Sequence, residues 1–352
     1  MYVSDPISLR NSIFQPFLRF LCFSHSNLQN YTQTTMLTPR DQSITLRSLL
    51  PSKRYFFIVF LAITLFFVFE GLRFTPKKYD DETFQKRFGP WAVVAGASEG
   101  LGAAWAVELA DKGLNVVLMS RSEKKLLNVR ETIQSRRANV DVKIYVQDLA
   151  DPDLETKFRD FTKELDIGLL VYNAAYVPRG AFLSSDVSKA MTAIDVNIAG
   201  PTTLTHVVTT RMTEKNRPGG VVVMSSMAGL LGTGHVAAYS ASKSWNTAFA
   251  HALWYEMQEH QIDVLSCIAG PTRTPSYLKF AGDRDMMNFI EQDSEEVVQE
   301  CTNALGQTPS LATGTLNKLT RFLFTRLVPV KTAIKVFSDE TVRLGNLNSN
   351  NN

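Results

Sequence analysis

Cysteine is scarce in this chain. There are three in 352 residues, Cys22, Cys267 and Cys301, far apart and without the close spacing of metal ligands. They read as reduced thiols, which points to a reducing compartment. No two of the five histidines stand four apart or beside a cysteine, so no zinc site is expected. Charge of one sign is also lacking. The formal net charge is +3, and no compact basic cluster offers a footprint for nucleic acid. No internal repeat is visible. What remains is an ordinary globular composition, 45% hydrophobic and 20% charged, long enough for one large core or two modest ones.

Acidic residues are nearly absent from the first 54 positions, where Arg10, Arg19, Arg40, Arg47, Lys53 and Arg54 face only Asp5 and Asp41. With so little to bury, this stretch is expected to be a disordered basic extension. A transit peptide, or a short leader starting at Met36, fits the same composition. The apolar run Tyr55–Leu72 follows, 18 residues long. As a helix it would reach about 27 Å, enough for a thin bilayer of the endoplasmic-reticulum kind. The run predicts a single-pass membrane anchor there, with the catalytic domain cytosolic. A signal-peptide core is the rival reading. Basic residues flank both ends, Lys53 and Arg54 before and Arg73, Lys77 and Lys78 after, so charge does not fix the orientation.

From Trp91 onward, short apolar runs alternate with helix-length segments. The runs are Trp91–Ala95, Asn115–Met119, Val142–Val146, Gly168–Val171, Val221–Met224 and Val264–Ile268. They are rich in Val, Ile and Leu without polar alternation, as strands covered on both faces should be. Leu101–Lys112, Glu123–Ala138 and Ser240–His260 are the predicted helices between them. The alternation specifies an α/β fold, a Rossmann-type doubly wound parallel sheet in one domain over about residues 85–310. Residues 311–344 form a further helical segment with five cations and no acid as far as Phe337. It reads either as a helix pair closing the domain or as an amphipathic surface resting on a membrane. Residues 345–352 are polar and low in complexity, and an unstructured tail is expected.

The first apolar run leads into Ala95-Gly96-Ala97-Ser98-Glu99-Gly100-Leu101-Gly102. Glycines there allow a sharp turn, close approach to a pyrophosphate, and tight packing of helix on strand. The helix that follows would offer its amides to the phosphates. The second run ends at Ser120-Arg121, where an acid would accept from a ribose 2′-hydroxyl; a guanidinium there suits a 2′-phosphate and favours NADP(H). Farther on, Tyr239 and Lys243 stand four apart on one helix face, and Ser226 closes an apolar run 13 residues before Tyr239. A phenol near pKa 10 needs help to exchange protons at pH 7, and a nearby ammonium gives it.

Taken together, residues 88–280 resemble the short-chain dehydrogenase/reductase family. Gly96, Gly100 and Gly102 match its glycine turn, and Asp148 the acid beside adenine. Asn173-Ala174 match its Asn-Ala run, and Asn197, Ser226, Tyr239 and Lys243 its catalytic tetrad. Gly270 and Thr274 match the loop beside the nicotinamide carboxamide. The resemblance implies that Tyr239 protonates a ketone oxygen while the nicotinamide gives a hydride. Lys243 would lower the Tyr239 pKa and hold the ribose, Ser226 would orient the carbonyl, and Asn197 would hold a relay water. Ser98 and Leu101 join the cofactor-binding set. Some positions depart from the family pattern: Ala95 replaces a Thr, Tyr172 an Asn, Ala175 a Gly, and Ala269 a Pro, with Pro271 following.

The expected substrate is a hydrophobic carbonyl compound, such as a steroid, a long-chain 3-oxoacyl thioester or a sphingoid ketone. Tyr277, Leu278, Phe280, Met286, Met287 and Phe289 would form an apolar lid. His235 either faces the substrate or is an exposed loop residue. A homodimer through the helix carrying Tyr239 is open on family grounds. A catalytically idle, NADP(H)-binding sensor or scaffold is the alternative function.

Overall fold

The structure is a computed structural model that describes residues 60–65, 79–281 and 290–349. The chain divides into two units, residues 1–68 and 69–352. In the first unit only residues 60–65 are described, and they are helical. The rest of the apolar run, the basic extension and the lid residues Met286, Met287 and Phe289 lie outside the described residues. Among those described, no helix is long and apolar enough to cross a membrane. The expected single-pass anchor and its endoplasmic-reticulum address are corrected accordingly: no described helix supplies the roughly 20 apolar residues that a span needs.

The second unit is a seven-stranded, all-parallel sheet in the order β3-β2-β1-β4-β5-β6-β7. The strands are β1 (Trp91–Ala95), β2 (Asn115–Ser120), β3 (Val142–Val146), β4 (Ile167–Tyr172), β5 (Gly219–Ser226), β6 (Ile262–Ala269) and β7 (Ser310–Ala312). The order reverses between β1 and β4. That switch point opens a crevice at the carboxyl ends of the strands, where ligands bind in such folds. The helices are α1 (Asp81–Phe88), α2 (Gly100–Asp111), α3 (Glu123–Arg136), α4 (Leu154–Phe161), α5 (Val187–Ile194), α6 (Gly200–Glu214), α7 (Ala237–Glu256), α8 (Pro275–Ala281), α9 (Ser294–Ala304), α10 (Thr315–Arg326) and α11 (Val330–Ser349).

Successive strand residues feed two cores. Ala92, Val94, Val116, Leu118, Leu169 and Val171 pack with Trp105 and Leu109 of α2, Ile133 of α3 and Val298 of α9. Their neighbours Val93, Val117, Met119, Leu170 and Val221 pack with Phe158 of α4 and Leu204, Val207 and Val208 of α6. The two-residue side-chain period thus delivers alternate residues to opposite faces, which is why these strands read as unbroken apolar runs. The exception is β3, at the sheet edge, where Lys143 and Val146 are exposed. Expectation and structure differ at three further points. Helix α1 begins before residue 85, with Phe84 and Phe88 fully buried. The three-residue β7 has too little length for a pattern. Helix α11 runs to Ser349, beyond residue 344 where the composition predicts an unstructured tail.

The reading of the cysteines as reduced thiols is also corrected. Cys267 on β6 and Cys301 on α9 form a disulfide, their Cα atoms 5.9 Å apart although 34 positions separate them in sequence. Close packing of α9 on β6 brings them together, and both are fully buried. Closing a loop of that length stabilises a fold by about 4 kcal/mol through the unfolded chain. Cys301→Ala is therefore expected to lower the unfolding free energy by about that amount. Denaturant titration without reductant measures it, and reductant should lower the wild type towards the variant.

Candidate active site

The crevice holds a cavity of about 770 Å³ that runs from the β2 edge to α11. At its floor the chain leaves β1 through Gly96 (φ +87°) and enters α2 at Gly100 (φ +56°), conformations that side chains resist. A Cβ at Gly96 would lie 2.6 Å from the Ala174 nitrogen, and one at Gly102 would overlap the Gly96 carbonyl oxygen. Helix α2 can approach β1 only because Gly102 lacks a side chain. The Asn173 amide donates to that same Gly96 oxygen at 3.0 Å, and the backbone N–H groups of Asn173 and Ala174 both donate to the Ala95 carbonyl at 2.9 Å. These bonds tether the turn where Ala95 has no hydroxyl to offer. The N-cap residue Glu99 makes no side-chain cap, leaving the first amides of α2 for a phosphate. A bare glycine cradle at an uncapped helix start fits a dinucleotide pyrophosphate.

Gly96, Ser98, Gly100 and Leu101 line the cavity, with Asn173 at its middle. At one end stand Ser120, Arg121, Ser122 and Lys125, facing Asp148. Arg121 is exposed, its Nη1 4.0 Å from Asp148 Oδ2, and Lys125 Nζ is 2.5 Å from Glu99 Oε2. Lys125 was not anticipated, although its place four residues after Arg121, in the first turn of α3, puts it on the same side.

At the other end β5 delivers Ser226 and α7 delivers Tyr239 and Lys243 to one wall. Ser226 stands close enough to Tyr239 to favour the ionised phenol, and its Oγ accepts from the Ala228 N–H at 3.2 Å. Burial raises the Tyr239 pKa, while Ser226 and the positive charge of Arg179 pull it back. Lys243 is buried, which lowers its pKa to about 8, and its Nζ donates to the Met224 carbonyl at 2.7 Å. Arg179 is thus a further cation that bears on the phenol. The resemblance implied Lys243, whose Nζ lies 5.8 Å from the centre of the Tyr239 ring.

Asn197 sits behind this wall, fully buried in a wide helical turn, Asp195–Ala199, between α5 and α6. Its Oδ1 accepts from the Tyr176 N–H at 2.8 Å, and its amide donates to the Tyr176 carbonyl at 2.9 Å and to Ser242 Oγ at 3.0 Å. Both amide hydrogens are therefore engaged in fixing the loop after β4. Tyr172, at the position where the family pattern has Asn, donates its hydroxyl to the Val196 carbonyl at 2.5 Å. The phenol fits because Gly200 has no side chain to meet it.

Gly270 and Thr274 also line the cavity. Thr274 closes against Gly100, and Gly270 abuts Asn317 of α10 so closely that a Cβ would overlap the Asn317 amide. The roof comes from α8 and, unanticipated, from Phe337, Glu340 and Thr341 of α11. Their i, i+3, i+4 spacing is a helix-face signal readable in sequence. Ser338 Oγ accepts from the Gly234 N–H at 2.8 Å and pins α11 to the loop before α7. In that loop His235 is exposed, so the bland reading of it holds.

The sequence profile of the short chain dehydrogenase family matches residues 90–284. A 7beta-hydroxysteroid dehydrogenase of Clostridium sardiniense is 28% identical over 235 residues, 67% of this chain and 89% of that one. A human protein named inactive hydroxysteroid dehydrogenase-like protein 1 is 36% identical over 56% of this chain and 60% of its own length. A very-long-chain 3-oxoacyl-CoA reductase of Aspergillus oryzae is 36% identical over 51% of this chain and 54% of its own. Among solved structures, a study of 7beta-hydroxysteroid dehydrogenase stereoselectivity supplies a match with TM-score 0.69 and 26% identity, covering 72% of this chain and 98% of that one. The chain belongs to the short-chain dehydrogenase family of oxidoreductases, whose fold binds a nicotinamide dinucleotide.

Proposed function

We propose that this protein reduces the carbonyl of a hydrophobic steroid or fatty-acyl substrate with NADP(H), interconverting a ketone and a secondary alcohol. The observation that carries this reading is the grouping of Ser226, Tyr239 and buried Lys243 at one wall of a mainly apolar chamber. Val177, Val196, Met227, Val236, Phe280 and Phe337 line that chamber and would exclude water from a hydrocarbon substrate.

When bound, the dinucleotide supplies the hydride. Gly96, Ser98, Gly100, Leu101 and Gly102 would hold its pyrophosphate and Asp148 its adenine end. Asn173, Gly270 and Thr274 would hold the nicotinamide half. Ser226 would donate to the ketone oxygen, and Tyr239 would give it a proton. Lys243 would turn from the Met224 carbonyl towards the ribose, leaving its charge near the phenol. Asn197 acts one step back, by holding the Tyr176 loop in place.

The preference for NADP(H) rests on Arg121 just after β2 and Lys125 in the first turn of α3, with Ser120 where an acid would favour NAD(H). Arg121→Asp is expected to raise the KM for NADPH about 10- to 100-fold, as loss of a charge-assisted phosphate contact does, and to change the KM for NADH much less. A likeness to a protein named inactive keeps a second reading in view, a cofactor-binding scaffold without turnover. NADPH oxidation assayed over steroid ketones, 3-oxoacyl thioesters and small polar ketones separates these. Turnover of lipid ketones is the expected result; activity confined to small polar ketones would rule out the hydrophobic substrate, and no turnover at all would leave the scaffold.

A further inference from the structure

The end of β6 leads into the loop Gly270 to Thr274, and one side chain of α10 lies directly against it. Asn317, in the first turn of α10, is 1% exposed and lines the same cavity as Gly270 and Thr274. Its amide is wedged between two glycines. A Cβ built at Gly270 would fall 2.2 Å from Asn317 Nδ2 and 2.7 Å from Oδ1, and one at Gly314 would fall 3.2 Å from Nδ2. The orientation is fixed as well, because Nδ2 donates to the Ile290 carbonyl at 3.3 Å. Oδ1, which lies against Gly270, accepts no hydrogen bond among the described residues. A buried acceptor without a donor is costly, and a ligand that brings one relieves the cost.

The surrounding loop narrows what that ligand group is. The Gly270, Pro271 and Thr272 carbonyls already accept, from Thr272 Oγ1 at 3.0 Å, the Gln292 N–H at 3.1 Å and the Thr274 N–H at 2.7 Å. Thr274 Oγ1 accepts from the Tyr277 N–H at 3.2 Å, which leaves its own hydrogen for another acceptor. An amide oxygen that lacks a donor and a hydroxyl that lacks an acceptor thus border one stretch of the cavity. A primary carboxamide, with one C=O and two N–H groups, complements that pair.

Resting on the dinucleotide-binding reading of this crevice, we infer that Asn317 is a further cofactor-binding residue, whose Oδ1 accepts an N–H of the nicotinamide carboxamide. Thr274 would serve the carboxamide oxygen. The contact comes from α10, outside the loop to which the family pattern assigns the carboxamide.

The test reads binding, so it does not depend on turnover. Calorimetric titration compares NADP⁺ with its 3-acetylpyridine analogue, in which a methyl group replaces the carboxamide NH₂ and the carbonyl is kept. Wild type should bind the analogue about 3- to 10-fold more weakly, the usual worth of one hydrogen bond. In Asn317→Leu that ratio should fall to about 1, through weaker binding of NADP⁺ with the analogue little changed. Asn317→Ser also removes the amide oxygen and should do the same, so it decides if the Leu variant does not fold. Titration with adenosine 2′,5′-bisphosphate, which carries no nicotinamide, checks that each variant is folded at the adenine end. Should wild type prefer NAD⁺, the unphosphorylated pair is compared, with adenosine 5′-monophosphate as the check. Equal affinities in wild type, or an unchanged ratio in a folded variant, would overturn the inference. If wild type binds no dinucleotide at all, the cofactor reading itself fails and takes the inference with it, a result distinct from an unchanged ratio.

Discussion

Tyr239→Phe is expected to slow ketone reduction by about 10²- to 10⁴-fold, the usual worth of a positioned proton donor, with NADPH binding intact. The substitution removes one hydroxyl and keeps the ring, so the packing of α7 should hold. Its effect should fall on kcat, since the proton moves only in the transition state. Burial holds the phenol above its ordinary pKa, with Ser226 and Arg179 opposing. At neutral pH Tyr239 is therefore protonated, the form that gives a proton to a ketone oxygen. Alcohol oxidation needs the phenolate, so its rate should climb as pH rises towards the alkaline range while reduction falls. Rates in both directions between pH 6 and 10 would check this. A Phe variant that turns over as fast as wild type would remove Tyr239 from the chemistry and return the protein to the scaffold reading.

Much of this arrangement is legible in the sequence because backbone demands are local. Gly96, Gly100 and Gly102 are fixed by contacts within a single turn, and the central strands by continuous burial. What escaped depends on partners distant in sequence. Nothing near Arg179 reports that Phe280, about a hundred residues on, covers its guanidinium. Nothing near Cys267 reports that α9 returns Cys301 to it. Edge strand β3 shows the converse error: its Val142-Lys143-Ile144-Tyr145-Val146 reads as a buried run, yet among the described residues no strand flanks it on one side. Asn197 was found by its place in the family pattern, but its hydrogen bonds to Tyr176 and Ser242 are visible only once the loop after β4 is folded. The role of that side chain, as a brace for the loop carrying Arg179, comes from the fold alone.

Lys243→Met should do two opposite things: cut reduction by about 100-fold or more and make the dinucleotide-free protein more stable. Lys243 is fully buried with a carbonyl for company and no carboxylate, and burial lowers its pKa from 10.5 to about 8. In the unfolded chain the amine keeps its ordinary pKa. Between pH 8 and 10.5 the unfolded state thus binds more protons than the folded one, and stability due to this group rises with pH across that window. Below pH 8 the folded state carries the full cost of a buried charge, about 3 kcal/mol from the size of the shift. Methionine removes that cost and fills similar space, while losing a hydrogen bond to the Met224 carbonyl worth about 1 kcal/mol. A net gain of about 2 kcal/mol at pH 7 is expected, shrinking towards zero or below by pH 10. Denaturant unfolding at both values measures it. A Met variant less stable than wild type at pH 7 would show that the ammonium is better satisfied than its surroundings imply. Adding NADPH should reverse the order, because an anionic ligand stabilises the protein that keeps the cation. The site would then hold a destabilising charge in reserve for its cofactor, and the cost of holding it would disappear only in the complex that turns over.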